Sequence, residues 1–470
     1  MGELHDLSLL EQAAGVRDGS LSPVELVEHY LERIDRLSDT VGAFVTVTAD
    51  SARAGARAAE QAVADGRELP PLHGVPTAIK DLNLVAGVPT YFGTSVWPGL
   101  DLGIDDAVTA KLKAAGLISL GKTNTPEFGL PCYTEPDNAP PARTPWDLER
   151  SAGGSSGGAA AAVAAGLVPA AQGSDGGGSI RIPATVCGLF GVKPSRGRVS
   201  NAPISSEISG LAINGPLARS VRDAAALLDA MTGPAASDWQ WAPPPARSYL
   251  ATCDEPAGRL RIGRFAAPVI ADATVHPDCL EAYESASALL AELGHEVIDH
   301  TPTYTPELVP AFEVVWAQEF LALPLEPADE EKVRPLTRWI RDNGRGATAA
   351  QYYAALAALR QAARVELDAT SGFDAILTPT LAQPPALVGG LRNDDDPAAD
   401  FEAQKRFTPF TAPYNMSGQP AVTIPSYWSA EGLPIGIQLV GRPYGEETLL
   451  RLSAQFEEAA PWSGRRPACW

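Results

Sequence analysis

Two kinds of residue in this chain sit where chemistry would need them: serines held in glycine-rich loops, and a lysine led into an apolar run. Between Ser151 and Arg181 lie Gly153-Gly154-Ser155-Ser156-Gly157-Gly158 and Gly173-Ser174-Asp175-Gly176-Gly177-Gly178-Ser179, separated by an alanine-rich run too apolar for a loop. Glycine lets the backbone approach a ligand closely, at an entropic cost an ordinary linker has no reason to bear twice. Such loops can aim several N–H groups at one anionic point. That point is either a phosphate or the oxyanion of an acyl-transfer reaction.

A literal phosphate-loop motif, Gly116–Thr123 (GLISLGKT), argues little for the first. A phosphate loop needs a strand before its first glycine and a flexible turn between the glycines. Here an amphipathic helix over Asp105–Ala115 comes before, and an apolar strand, Leu117–Leu120, lies between. The six histidines, His5, His29, His73, His276, His295 and His300, show no ligand spacing, so no metal site and no cofactor are expected. No G-x-S-x-G elbow is present either. A nucleophilic serine would therefore be activated by something other than histidine. Lys80, behind Ala78 and Ile79 in a β-prone run, is the candidate: desolvation disfavours the ammonium form and makes lysine a usable base. The bland alternative is a surface pair of Lys80 with Asp81.

The elements that must hold these residues read as follows. Residues 6–70 are helical. Ser22 suits an N-cap, Pro23 the first helical position and Glu25 the capping-box return, before a stripe of Leu26, Tyr30, Ile34 and Leu37. A second helix covers about 50–66. Further helices are expected at 216–232, 277–293 and through 307–370, with strands at 258–265, 296–299, 373–380, 421–425 and 433–441. Ser237–Pro256 reads as an irregular excursion, and Leu391–Ala399 as a mobile acidic loop. Strands alternating with helices predict an α/β fold: one large mixed β-sheet core covered by helices on both faces. One domain is expected over 1–470, with a helical part at about 1–70, a catalytic core at 71–235, a substrate-shaping part at 236–410 and core-completing strands at 411–470.

Composition narrows the partners. Lys plus Arg number 36 against 57 Asp plus Glu, a net charge of −21, with no basic run, which argues against nucleic acid or an anionic membrane. The longest apolar run, Ala159–Ala171, is broken by Gly166 and Pro169 and is short of the roughly 20 residues of a membrane span. The N-terminus shows no secretory pattern, and five scattered cysteines fit a reduced compartment, so a cytoplasmic location is expected.

Taken in order, Gly74-Val75-Pro76…Lys80-Asp81, Gly121-Lys122-Thr123-Asn124…Pro126-Glu127, the Gly153–Gly158 loop and Gly177-Gly178-Ser179-Ile180-Arg181-Ile182-Pro183 resemble the amidase signature family of serine hydrolases. The separations of 75 residues from Lys80 to Ser155 and 24 from Ser155 to Ser179 agree with it. The resemblance runs from about residue 5 to 465. Within the family it is nearest to bacterial amidases of the 6-aminohexanoate cyclic-dimer hydrolase and urethanase type. It implies a Ser–Ser–Lys triad: Ser179 the nucleophile, Ser155 the relay after a cis Gly154–Ser155 peptide, and Lys80 the base. It also implies an oxyanion hole from the N–H groups of Gly176, Gly177, Gly178 and Ser179. Asp175 and Arg181 are read as a structural pair, and Ser156 as a local support or a plain loop serine.

Two positions depart from the pattern: many relatives carry a β-branched residue at Gly176 and threonine at Ser174. The expected substrate is a small, uncharged, fairly apolar amide or carbamate. Its pocket is expected along Phe128–Ala142, around Trp316 and along Phe407–Tyr414, with Phe128, Tyr133, Trp316 and Tyr414 as binding residues. A urethanase, an aryl acylamidase with esterase side activity, the glutaminase subunit of a tRNA-dependent amidotransferase and a nucleotide-binding module remain alternatives, and a homodimer is left open.

Overall fold

Ser22 starts the first long helix as its side chain predicts, accepting hydrogen bonds from the N–H groups of Val24 and Glu25 ahead of the helix Pro23–Val41. The Glu25 side chain does not return a bond to the Ser22 N–H, and the Ser22 hydroxyl also donates to Glu60 of the neighbouring helix Ala49–Ala64. Leu26, Tyr30 and Ile34 are buried along one stripe. The computed structural model describes residues 3–203 and 208–470.

Among the described residues, eleven strands form one mixed sheet. They are β1 (Phe44–Val47), β2 (Pro76–Lys80), β3 (Ile118–Thr123), β4 (Ala170–Asp175), β5 (Phe190–Lys193), β6 (Ile213–Ala218), β7 (Arg261–Arg264), β8 (Glu296–Asp299), β9 (Ala375–Pro379), β10 (Ala421–Trp428) and β11 (Pro434–Gly441). Their order is β1-β3-β2-β4-β6-β5-β10-β11-β9-β7-β8. The pairs β2–β3, β2–β4, β7–β8 and β7–β9 are parallel and the others antiparallel. Successive side chains of a strand point to opposite faces. Accordingly Ala78 of β2 joins the core around Ala159–Val163, whereas Ile79 joins the core around Val75 and Leu112. Both faces of the sheet are therefore covered, as the fold class requires.

Several elements differ from the sequence reading. β1, β4, β5 and β6 lie outside the strands expected from sequence, being short or containing small residues. β3 continues through Gly121, Lys122 and Thr123, and Pro216–Ala218 belongs to β6, so the following helix starts only at Val221, capped by Ser220. The acidic segment at 391–399 is anchored: Asp394 accepts from Arg334 and Arg392, and Asp396 caps the helix Pro397–Phe407. A short helix, Tyr249–Thr252, interrupts the excursion at 237–256. Among the described residues no helix is long and apolar enough to cross a membrane.

The literal phosphate-loop motif begins at Gly116, just ahead of β3, and its residues from Ile118 to Thr123 are the strand itself. Its Lys122 is wholly buried and donates to Asp81 and to the Thr90 hydroxyl, each at 2.8 Å. That pair also disposes of the surface Lys80–Asp81 reading, because Asp81 faces Lys122.

Candidate active site

Lys80 ends β2, an interior strand between β3 and β4, and is fully buried. Its N–H donates to Gln172 Oε1 of β4 at 2.8 Å. Its Nζ donates to Ser155 Oγ at 2.7 Å and to Ser174 Oγ at 3.0 Å. Burial lowers its pKa from 10.5 to about 7, with the charge of Asp175 pulling the other way. An amine held by hydroxyls with no carboxylate in contact is available as a base near neutral pH.

Ser155 is supplied by the first glycine loop, after a cis Gly154–Ser155 peptide, and is nearly inaccessible. The loop is pressed against backbone at Gly154 and Gly158. A Cβ on Gly154 would lie 2.7 Å from the Tyr133 nitrogen, and one on Gly158 2.3 Å from that of Asn124. Glycine is needed here for close approach. Ser156 joins the two loops: its hydroxyl donates to the Ser174 carbonyl at 3.1 Å and accepts from the Ser174 N–H at 3.2 Å, while its own N–H donates to the Ser179 carbonyl at 3.2 Å. It is a local support.

Ser179 lies on the turn between β4 and the helix Arg181–Cys187, with 9% of its surface exposed. Asp175 organises that turn. Its carboxylate accepts from the N–H groups of Gly178 at 2.8 Å and Ile180 at 3.1 Å, and pairs with Arg181 at 2.8 Å with both side chains fully buried. Arg181 also donates to the Thr411 carbonyl, Gln438 Oε1 and Asn415 Oδ1. Burial opposes the Asp175 charge, but Arg181, Lys193 and the Asn415 amide overcome it and hold the carboxyl well below the usual range. The pair is structural, as its position beside Ser179 suggested.

The expected donor set changes in one member. The Gly178 N–H is already given to Asp175 and is not available to an oxyanion. Among the described residues, the N–H groups of Gly176, Gly177 and Ser179 donate to no protein acceptor. A Cβ on Gly177 would meet nothing within 4 Å, so open space lies over this part of the turn. One on Gly176 would lie 3.4 Å from the Trp316 ring. Trp316 stacks on Phe312 at 5.6 Å and meets Phe320 edge-on at 5.0 Å, which makes an aromatic wall beside the turn.

The other aromatic candidates divide. Phe128 stands next to Gly129, whose Cβ position is 3.4 Å from Ser155 Oγ, and it packs on Trp97 at 5.1 Å. Tyr133 and Tyr414 are core residues and do not face the open space. The Tyr133 hydroxyl donates to Asp400 at 2.5 Å, and Tyr414 is buried in the apolar cluster with Phe410 and Met416. Three contributors were not anticipated as such. Gln172 and Ser174, two apart on β4, both face Lys80; Thr411 fixes the turn by donating to the Gly177 carbonyl at 2.6 Å. The period-two spacing of Gln172 and Ser174 was the available signal.

The amidase family profile matches residues 25–450. A putative amidase of Mycobacterium tuberculosis is 40% identical over 463 residues, covering 97% of both chains. The 6-aminohexanoate-cyclic-dimer hydrolase of Paenarthrobacter ureafaciens is 36% identical over 484 residues, covering 97% of this chain and 95% of that protein. The solved structure of 6-aminohexanoate cyclic dimer hydrolase complexed with substrate superposes with a TM-score of 0.91 at 32% identity, over 99% of this chain and 100% of the other.

Proposed function

This chain belongs to the amidase family and is a hydrolase of C–N bonds, and from that premise we propose that residues 1–470 act as one catalytic unit in which Ser179, Ser155 and Lys80 cleave uncharged, fairly apolar amides through an acyl-enzyme. The observation that carries the reading is the buried Lys80 amine, near pKa 7, donating to Ser155 Oγ at 2.7 Å.

Neutral Lys80 takes the proton of Ser155, and Ser155 takes that of Ser179. The link from Lys80 to Ser155 is in place. That from Ser155 to Ser179 forms on rotation of the Ser179 side chain, which makes no hydrogen bond among the described residues. Ser179 Oγ attacks the carbonyl carbon, and the oxyanion takes up the N–H groups of Gly176, Gly177 and Ser179. Each such donor contributes about 2.7–4 kcal/mol to the transition state. The proton returns from Lys80 through Ser155 to the leaving nitrogen, the C–N bond breaks and the amine departs. Water then repeats the sequence on the acyl-enzyme, releasing the acid.

The open space over Gly177 beside Trp316 suits an apolar acyl or leaving group. The relative that acts on a cyclic dimer of 6-aminohexanoate supports nylon-type cyclic or linear amides as the substrate class. Aryl and aliphatic amides, cyclic amides, carbamates and esters offered in one panel, with mass spectrometry of the acyl-enzyme, test the reading. Ser179→Ala should abolish both turnover and the adduct, and substantial residual hydrolysis would refute the nucleophile.

A further inference from the structure

At the opposite end of the helix Gly157–Ala164 from Ser155, the N-terminal turn Leu4–Asp6 folds against the helix Pro23–Val41. There His5 Nδ1 and His29 Nε2 lie 2.9 Å apart, their rings stacked at 5.1 Å and 17°. A carboxylate oxygen of Glu3 joins them, all three donor atoms lying within 4.8 Å of one another. Among the described residues it is the only place where three or more histidine, cysteine or acidic donors converge in this way. His5 is 4% exposed and is held by the Trp470 ring at 5.1 Å, while Glu3 is exposed. The cluster opens on a cavity of about 420 Å³ that Asp6, Glu32, Arg33 and Arg36 also line.

We propose that Glu3, His5 and His29 bind one divalent transition-metal ion of the zinc type, which ties the N-terminal segment to the first long helix. Two imidazoles and a carboxylate are a ligand set for such ions, with metal–nitrogen bonds of about 2.0–2.1 Å and an open position for water. Nitrogens 2.9 Å apart subtend about 90° at such bond lengths, and an opening of about 0.5 Å gives the tetrahedral angle. The imidazole that now donates across the pair carries its hydrogen on its other ring nitrogen once the metal is bound. The surrounding charge permits a cation. Three carboxylates, Glu3, Asp6 and Glu32, face the cavity beside the guanidinium groups of Arg33 and Arg36; Arg33 is turned away to the carbonyls of Ala165 and Gly166 at 2.9 Å, while Arg219 and Arg466 lie behind on the Trp470 ring, Arg466 3.9 Å from Asp6. In sequence 24 residues separate the two histidines, a spacing no local ligand motif has; tertiary packing brings them together.

Calorimetric titration of Zn²⁺ into the chelator-treated full chain should show one saturable equivalent, accompanied by a rise in melting temperature. His29→Ala should remove it. Glu3→Gln, a change at an exposed side chain that leaves the fold intact, should weaken it by about tenfold. His276→Ala, which removes the half-buried imidazole that caps the helix Pro277–Glu292, should leave it unchanged. Amide hydrolysis should be the same with and without the metal, since the eight-residue helix sets the cluster roughly 12 Å from the serine loop. Absence of saturable uptake, or uptake that persists unchanged in either His29→Ala or Glu3→Gln, overturns the site.

Discussion

Replacing Lys80 by methionine should cut activity by about 10²–10⁴ and, at neutral pH, remove a source of instability. The folded lysine titrates near 7 and the unfolded one near 10.5. Between those values the unfolded chain holds one more proton, so the contribution of Lys80 to stability rises with pH. At about 1.36 kcal/mol per unit, keeping this amine neutral in the interior disfavours the folded state by about 4 kcal/mol at pH 7 and about 2 kcal/mol at pH 9. The loss of the bonds to Ser155 and Ser174 offsets part of the gain in the variant, at about 1 kcal/mol each, but that loss does not depend on pH. The wild type should therefore gain about 2 kcal/mol relative to Lys80→Met between pH 7 and pH 9. Lys193, also buried and lowered to about 7, is common to both proteins and cancels in the difference.

Two assays read this out. Denaturant unfolding of both proteins across that range gives the stability difference, and kcat/KM for a neutral anilide from pH 5 to 9 gives the kinetic side. The rate should rise with a midpoint near pH 7, fall about tenfold per unit below it, and drop by about 10²–10⁴ in the variant. A profile flat down to pH 5, or a stability difference that stays constant from pH 7 to 9, would refute a neutral buried lysine as the base.

Four other substitutions address the turn around Ser179. Gly177→Ala should leave the unfolding free energy unchanged but raise KM for bulky amides, because its methyl enters open space; Gly178→Ala should lower the unfolding free energy by more than about 1 kcal/mol, since φ is 138° and the methyl meets Thr411 Oγ1 at 2.5 Å. Equal behaviour of the two variants would contradict the placement of the substrate space. Arg181→Met strands the Asp175 carboxylate, for a loss of about 3–5 kcal/mol, and should move the acid limb of the rate profile to higher pH as the freed charge stabilises the Lys80 ammonium. A limb that stays in place or moves to lower pH would break that coupling. Trp316→Ala should raise KM for aryl amides by about tenfold, a loss of 1 to 2 kcal/mol of aromatic contact, without moving the acid limb. An unchanged KM would remove Trp316 from the substrate wall.

Much of the architecture was legible because its long helices and apolar strands obey simple periodicities; Pro23–Val41 and Pro434–Gly441 are examples. Aromatic composition does not separate rings beside the Ser179 turn from rings in the core: Trp316 and Tyr133 look alike in sequence, and only the partner of each side chain, the Gly176 turn or Asp400, tells them apart. The most consequential miss is β4, whose sequence Ala-Ala-Gln-Gly-Ser-Asp is poor in β-branched and aromatic residues. Its weak strand signal has a structural cause. A Cβ on Gly173 would stand 2.9 Å from Ser156 Oγ, so a larger residue there would push the first serine loop off the strand. Gln172 and Ser174 are polar because they face Lys80. The composition that hides the strand is thus what lets the two loops meet over one lysine, and local propensity is expected to fail where a site demands otherwise.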